Sequence, residues 1–281
     1  MADPKPGVAA TASAWDATRM LCWREIVRFF RQRNRVIGAL GQPLLFWVLF
    51  GTGLDRSFRL DDSGNAASFL EYYFPGTLML VVLFTAIFAT ISIIEDRREG
   101  FLQSVLVAPI PRAVMVLGKV CGGTAIAVGQ GILFLGLGFL FRWDMTVLRF
   151  VGVIVLLTIS AVAMTSLGFL IAWRMESTQG FHAIMNLALM PMWLLSGAFF
   201  PIPAHTPGSA WSQVALHWTM RCNPVTYAVT GVRHMLTDES LPERFFVPAP
   251  TVCWVATILF AVIMFTFAWR ISGQRVSGDL L

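Results

Sequence analysis

The 281-residue chain is 56% hydrophobic and only 13% charged, whereas a soluble domain usually carries about 25% charged residues. With ten Trp, 23 Phe and a mean hydropathy of +0.68, this excludes an ordinary soluble domain and points to a membrane-embedded chain. The net charge of +5 is informative only through its distribution across a bilayer, and it implies no nucleic acid.

Residues 1–14 are polar, small and rich in Pro and Ala, with no apolar core before Arg19, so no cleavable signal is expected. Residues 15–35 form a basic amphipathic stretch. Arg24, Arg28, Arg31 and Arg35 recur at helical spacing on one side, and Trp23, Ile26, Val27 and Phe30 share another. Such a helix lies in the headgroup layer with its cations toward anionic lipid or an acidic partner surface; a plain membrane anchor has the same pattern. Six charge-free apolar runs follow, at 36–54, 75–94, 120–141, 150–173, 183–200 and 251–269. Each holds roughly 20 residues, enough at about 1.5 Å per residue to cross a hydrocarbon core about 30 Å thick. Backbone groups in lipid must pair internally, so the runs are helices. Pro75 suits a first-turn position. Trp173 and Trp269 stand at run ends, as in an interfacial belt.

The connection 95–119, between the second and third runs, has the densest signal. It opens with Glu95, Asp96, Arg97, Arg98 and Glu99, and Gly100 then frees the backbone to turn. Phe101, Leu102, Val105 and Leu106 fall on one face of a short helix, and Pro109 and Pro111 stop it. A charged knuckle, a greasy helix and a proline stop describe a surface that another protein grips. An ordinary polar connection has the same composition, and these residues alone leave both open.

In the third run, Gly122, Gly129 and Gly136 recur every seven residues and Gly131 and Gly138 repeat the interval, a side-chain-free stripe that lets a neighbouring helix approach. Whether that neighbour belongs to this chain or to a second copy is not readable. The segment 201–250 is more than a loop. Trp211, Val214, Ala215 and Trp218 are spaced as on an amphipathic helix, and Asn223 caps a second helix with Pro224 at its first position. That second helix, near 225–236, is too short to span and too apolar to be free in water, which suits the outer leaflet.

Lys and Arg outnumber those on the other side by about two to one in the connections that share a side with both termini, which places the termini and segment 95–119 in the cytoplasm. No ionisable residue lies inside the six runs, which argues against a proton relay, with Glu95 and Lys119 at run edges. His182, His205, His217 and His234 lie outside the runs and no catalytic motif accompanies them, while Ser196 packs as a small residue. Gly118-Lys119 is no phosphate loop, because Ala113 stands where a glycine is required and Val120 where Ser or Thr is required. Cys22, Cys121, Cys222 and Cys253 show no metal-ligand spacing, and a single bridge between Cys222 and Cys253 stays open. A charge-free passage would have aromatic or apolar walls. Candidates are Phe46, Trp47, Phe84, Phe88, Met190 and Trp193, for each of which plain helix packing is the commoner role.

Together these residues resemble the membrane subunits of ATP-binding-cassette type-2 exporter permeases. The likeness rests on the basic amphipathic helix, on Arg98-Glu99-Gly100-Phe101-Leu102 running to Leu106 and Pro109, on 195–201 (LSGAFFP), and on 223–227 (NPVTY). It spans roughly Trp15 to Arg270, with departures at Gln103, where an acid is usual, and at Pro111, where Ser is usual. The resemblance implies an all-α membrane protein with a cytoplasmic tail and amphipathic interfacial helix (1–35), a six-span permease domain (36–270) with short outer helices between the fifth and sixth spans, and a cytoplasmic tail (271–281). It also implies a multi-pass protein of the inner (plasma) membrane and an assembly of two permease copies, as homodimer or close heterodimer, with two cytoplasmic ATPase subunits. Those subunits bind ATP and Mg; this chain carries no cofactor and is no enzyme. The resemblance makes 99–107 the coupling helix, with Arg97, Arg98 and Glu99 orienting it and Phe101, Leu102 and Leu106 filling a socket on the ATPase. The expected cargo is hydrophobic or amphipathic: drug-like, lipid or glycolipid. The competing readings are a secondary transporter or channel without an ATPase, and a membrane-embedded enzyme.

Overall fold

The computed structural model describes residues 13–55, 68–107, 111–141, 146–204, 210–237 and 245–273. The described residues are mostly helical, with one isolated antiparallel bridge between Pro203 and Phe245. Helix α1 (Ala14–Arg31) starts at Ser13, whose hydroxyl accepts from the Trp15 N–H, and it has Asp16 in its first turn and Arg28 and Arg31 in its last. Both ends therefore suit the helix dipole. Helix α2 (Arg33–Leu54) follows directly. Next come α3 (Phe69–Ala89) and α4 (Ile91–Arg98), a tight turn at Gly100, and α5 (Phe101–Val107). After α6 (Arg112–Leu135), a 3-10 stretch, Gly136–Phe141, leads to α7 (Val147–Ala172) and α8 (Thr178–Trp193). A π turn (Leu194–Ala198), α9 (Trp211–Cys222), α10 (Pro224–Leu236) and α11 (Pro250–Ser272) complete the order.

Among the described residues, six helical segments are long and apolar enough to cross a membrane: Val36–Leu54, Phe69–Arg98, Arg112–Gly138, Val147–Ala172, Thr178–Ala198 and Pro250–Ser272. They are the six expected runs, longer at several ends. Pro75 is a correction: it lies well inside α3, because the helix starts earlier, where the Asp55 carboxylate takes the Phe69 N–H at 2.7 Å. Pro75 has no N–H to offer the carbonyl one turn back.

Helix α3 is the axis of the bundle. Nearly every residue from Tyr72 to Ile87 is buried, against α2, α6, α7 and α10. By contrast α2 and α11 turn large apolar side chains outward, among them Ile37, Leu49, Val255 and Val262. Lipid tails are as apolar as these side chains, so close van der Waals fit holds such a bundle together. The glycines of α6 supply that fit differently from the expected seven-residue stripe. Gly118 and Gly122, one turn apart, seat α1: a Cβ on Gly122 would stand 2.7 Å from the Glu25 Cβ and 3.2 Å from the Cys22 carbonyl. Gly129 and Gly136 would meet nothing among the described residues. The close neighbour is thus the amphipathic helix of the same chain. Cys222 is exposed, Cys253 is buried, and both are free thiols.

Candidate functional site

Charge gathers where α1, α4 and α6 meet. Asp96, in the last turn of α4, is fully buried. Its carboxylate accepts from Arg24 (2.6 and 3.0 Å) and Arg28 (2.6 Å) of α1, and closely from the Lys119 ammonium of α6. Lys119, also buried, donates to Glu25 of α1 at 2.6 Å and to the Ser92 hydroxyl at 3.2 Å. Arg28 extends the set to Glu95 and Glu99, 3.0 Å from each. Every buried charge here has partners of opposite sign, the condition under which burial is tolerated. Burial works against the charge of Arg24, but its bonds to Asp96 and the nearby Glu25 and Glu99 more than offset that, and its pKa is raised.

The apolar runs stop at 94 and restart at 120, and the helices extend past those edges through Asp96 and Lys119, whose charges neutralise one another. Glu25, Asp96 and Lys119 received no role from the sequence. The available signals were a lone acid inside the basic stretch between Arg19 and Arg35, and a lysine at the very edge of an apolar run.

Just beyond the cluster, Gly100 takes φ +74° and α5 folds back. The predicted charged residues anchor this elbow from the opposite side. Arg97 donates to the carbonyls of Trp173 (2.7 Å) and Met175 (3.0 Å), with its guanidinium 5.6 Å from the Trp173 ring. Arg98 donates to the Glu176 carbonyl at 3.0 Å. The greasy face of α5 turns partly onto the chain itself. Leu102 is buried in the chain's own core, Val105 packs against it, and Arg24 lies 3.7 Å over the half-buried Phe101 ring. Gln103, Ser104 and Val107 face outward, with Val107 86% exposed. The Leu106 side chain and the whole of Pro109 lie outside the described residues, and Pro111 caps the start of α6.

The six candidate wall residues divide. Phe84, Phe88 and Met190 line one cavity of about 240 Å³ together with Gln42, Pro43 and Thr85. Phe84 and Phe88 meet edge to face at 5.4 Å, and the Thr85 hydroxyl donates to the Gln130 side-chain oxygen at 2.5 Å. Trp47 and Trp193 are buried and do not line that cavity. The Trp47 ring wedges against Phe74 and Phe134 while its N–H bonds the Leu70 carbonyl at 3.0 Å, and the Trp193 N–H bonds the Gly76 carbonyl at 2.8 Å. Phe46 is half-buried and stacks obliquely with Phe50 at 5.5 Å.

At the far end of the bundle the two remaining sequence motifs converge. The π turn ends α8 with Gly197 at φ +78°, and its carbonyl accepts from the Tyr72 hydroxyl (3.1 Å) and from buried Arg233 of α10 (3.0 Å). The Asn223 side chain accepts from the Val225 N–H at 3.0 Å, the expected cap, and also donates to the Met192 carbonyl. Ser196 is buried and donates to the Trp193 carbonyl at 2.5 Å.

A sequence profile described as ABC-2 type transporter matches residues 16–237. The chain is similar to the inner membrane transport permease YadH of Escherichia coli (strain K12), 24% identical over 252 residues, which cover 85% of this chain and 94% of the relative. It is similar to the putative transport permease ycf38 of Cyanophora paradoxa, 24% identical over 226 residues, which cover 79% of this chain and 74% of that one. A third relative is the daunorubicin resistance ABC transporter permease protein DrrB1 of Streptomyces coeruleorubidus, 24% identical over 234 residues, which cover 81% and 77%.

Proposed function

The chain belongs to the ABC-2 type transporter family, a multi-pass membrane permease, and on that premise we propose that it is the passage of an exporter driven by a separate ATPase that grips α5. The observation carrying this reading is the braced elbow. A short helix, anchored at its N-terminal end by ion pairs to α1 and by arginine bonds to backbone carbonyls, presents Glu99, Gln103, Ser104 and Val107 outward. A fixed protrusion at one end of a helix bundle is what an external motor needs in order to tilt the spans between two arrangements. The Lys and Arg bias puts that end in the cytoplasm, where ATP and Mg would be held by the partner.

The outward apolar faces of α2 and α11 suit lipid and a second permease copy. The uncharged cavity walled by Phe84, Phe88 and Met190 suits a hydrophobic or amphipathic cargo, and a relative's name refers to daunorubicin. Leu102 cannot report on the partner, since changing it disturbs the chain's own core; exposed Val107 can. Tagged chain purified from native membranes should carry an ATP-hydrolysing subunit, and Val107→Asp should release that subunit while leaving the permease folded. Retention of the subunit by Val107→Asp at the native level would overturn the role of α5.

A further inference from the structure

Gly100 is a weak point in the elbow. A single residue at positive φ joins α4 to α5, and a push on α5 could be lost by swinging about it. Two arginines of α1 bridge the joint. Arg24 bonds Asp96 before Gly100 and covers the Phe101 ring after it, and Arg28 pairs with Glu95 and Asp96 while reaching Glu99 beside the joint. The same helix is bound to α6 through Glu25 and Lys119, in contact with the backbone at Gly118 and Gly122. Lys119 then closes the loop by bonding Asp96 and Ser92 of α4. Opening the links of Asp96, Lys119 and Glu25 would leave a buried charge without its partner, which resists separation far more than an exposed pair does.

We propose that Arg24, Glu25, Asp96 and Lys119 are positioning residues for force transfer, locking α1, α4 and the first turns of α6 to α5 so that they move as one lever. This rests on the reading of α5 as the ATPase contact. Displacement of α5 then becomes a tilt of α1 and α6 against the far end of the bundle, and bending at Gly100 is suppressed.

The test uses the complex with its ATPase and needs no cargo. Spin labels are placed at Met20→Cys on α1, a 74% exposed position, and at native Cys222 on α9, which is exposed; Cys22, Cys121 and Cys253 are replaced by Ala. Their separation is measured by pulsed electron resonance, nucleotide-free and with ATP trapped by vanadate. The native complex should show an ATP-dependent shift in separation. Arg24→Gln, which removes the contacts of Arg24 on both sides of the joint and keeps the Arg28 and Lys119 pairs with Asp96, should still capture the ATPase and hydrolyse ATP but lose most of that shift. Glu25→Gln, nearly isosteric, should do the same through the α6 link and serves if Arg24→Gln fails to accumulate. A native complex whose α1 stays still on ATP binding overturns the lever, as does either variant retaining the full shift. Failure of the α5 reading is recognised separately, by ATPase capture that Val107→Asp leaves unchanged.

Discussion

Gly197 illustrates how much of the far end depends on single residues. Its backbone sits at φ +78°, where a side chain is disfavoured, and its carbonyl is the shared acceptor of Tyr72 and Arg233. A Cβ there would also press on Ile202 at 3.2 and 3.3 Å. Gly197→Ala should therefore destabilise the chain by about 1–2 kcal/mol from backbone conformation alone, and by more through Ile202. Gly100→Ala is the matched control, since its φ is +74° but a Cβ would meet open space. Melting of detergent-solubilised protein should rank native above Gly100→Ala and Gly100→Ala above Gly197→Ala; equal melting of the two variants would show that the π turn is not the tighter site. At this scale the sequence was partly legible. Asn223 and Pro224 read correctly as a cap and a first turn, because both effects act within a few residues. The second bond of Asn223, to the Met192 carbonyl, joins two helices and leaves no local pattern.

Among the elements, α1 departs most from its sequence reading. Its basic side was expected to face anionic lipid or an acidic partner, and the acidic surface it meets belongs to its own chain. The apolar side still faces outward, with Trp15, Met20, Trp23 and Phe30 each more than half exposed. Helical periodicity separates such faces reliably but does not say what covers either of them. The seating of α1 on Gly122 can be tested directly. Gly122→Leu would drive a side chain into the Glu25 Cβ and the Cys22 carbonyl, neither of which can swing away cheaply. Burial, then the neighbouring Cys121 and Glu25, raises the Cys22 pKa and keeps the thiol sluggish. Once α1 is lifted, Cys22 should react with a maleimide several-fold faster than in the native chain, with Cys222 on the far helix as internal reference. An unchanged ratio of the two rates would mean that α1 is held elsewhere.

For the whole molecule, an even number of spans and a bond between distant ends agree on one arrangement. Arg112, at the start of α6, donates to the carbonyls of Ser272 (3.1 Å) and Gly273 (2.8 Å), so α11 ends at the same end of the bundle as the elbow and α1. With the charge bias, a fluorescent reporter that matures only in the cytoplasm should light up when fused at either terminus and stay dark when inserted at 205–209. Light from that insertion would invert the orientation and remove α5 from any cytoplasmic motor. The six spans, the turn at Gly100 and the Asn223 cap of α10 were decided by the sequence alone, because hydropathy over roughly 20 residues and local hydrogen bonding are properties of contiguous chain. Which charges neutralise one another, which face of α5 turns onto the chain itself, and which aromatics line a cavity were decided only by the tertiary structure. Arg24 reaches Asp96 across 72 residues and Lys119 reaches Glu25 across 94. Pairings that distant are made by the packing of helices, and a window moving along the chain cannot contain them.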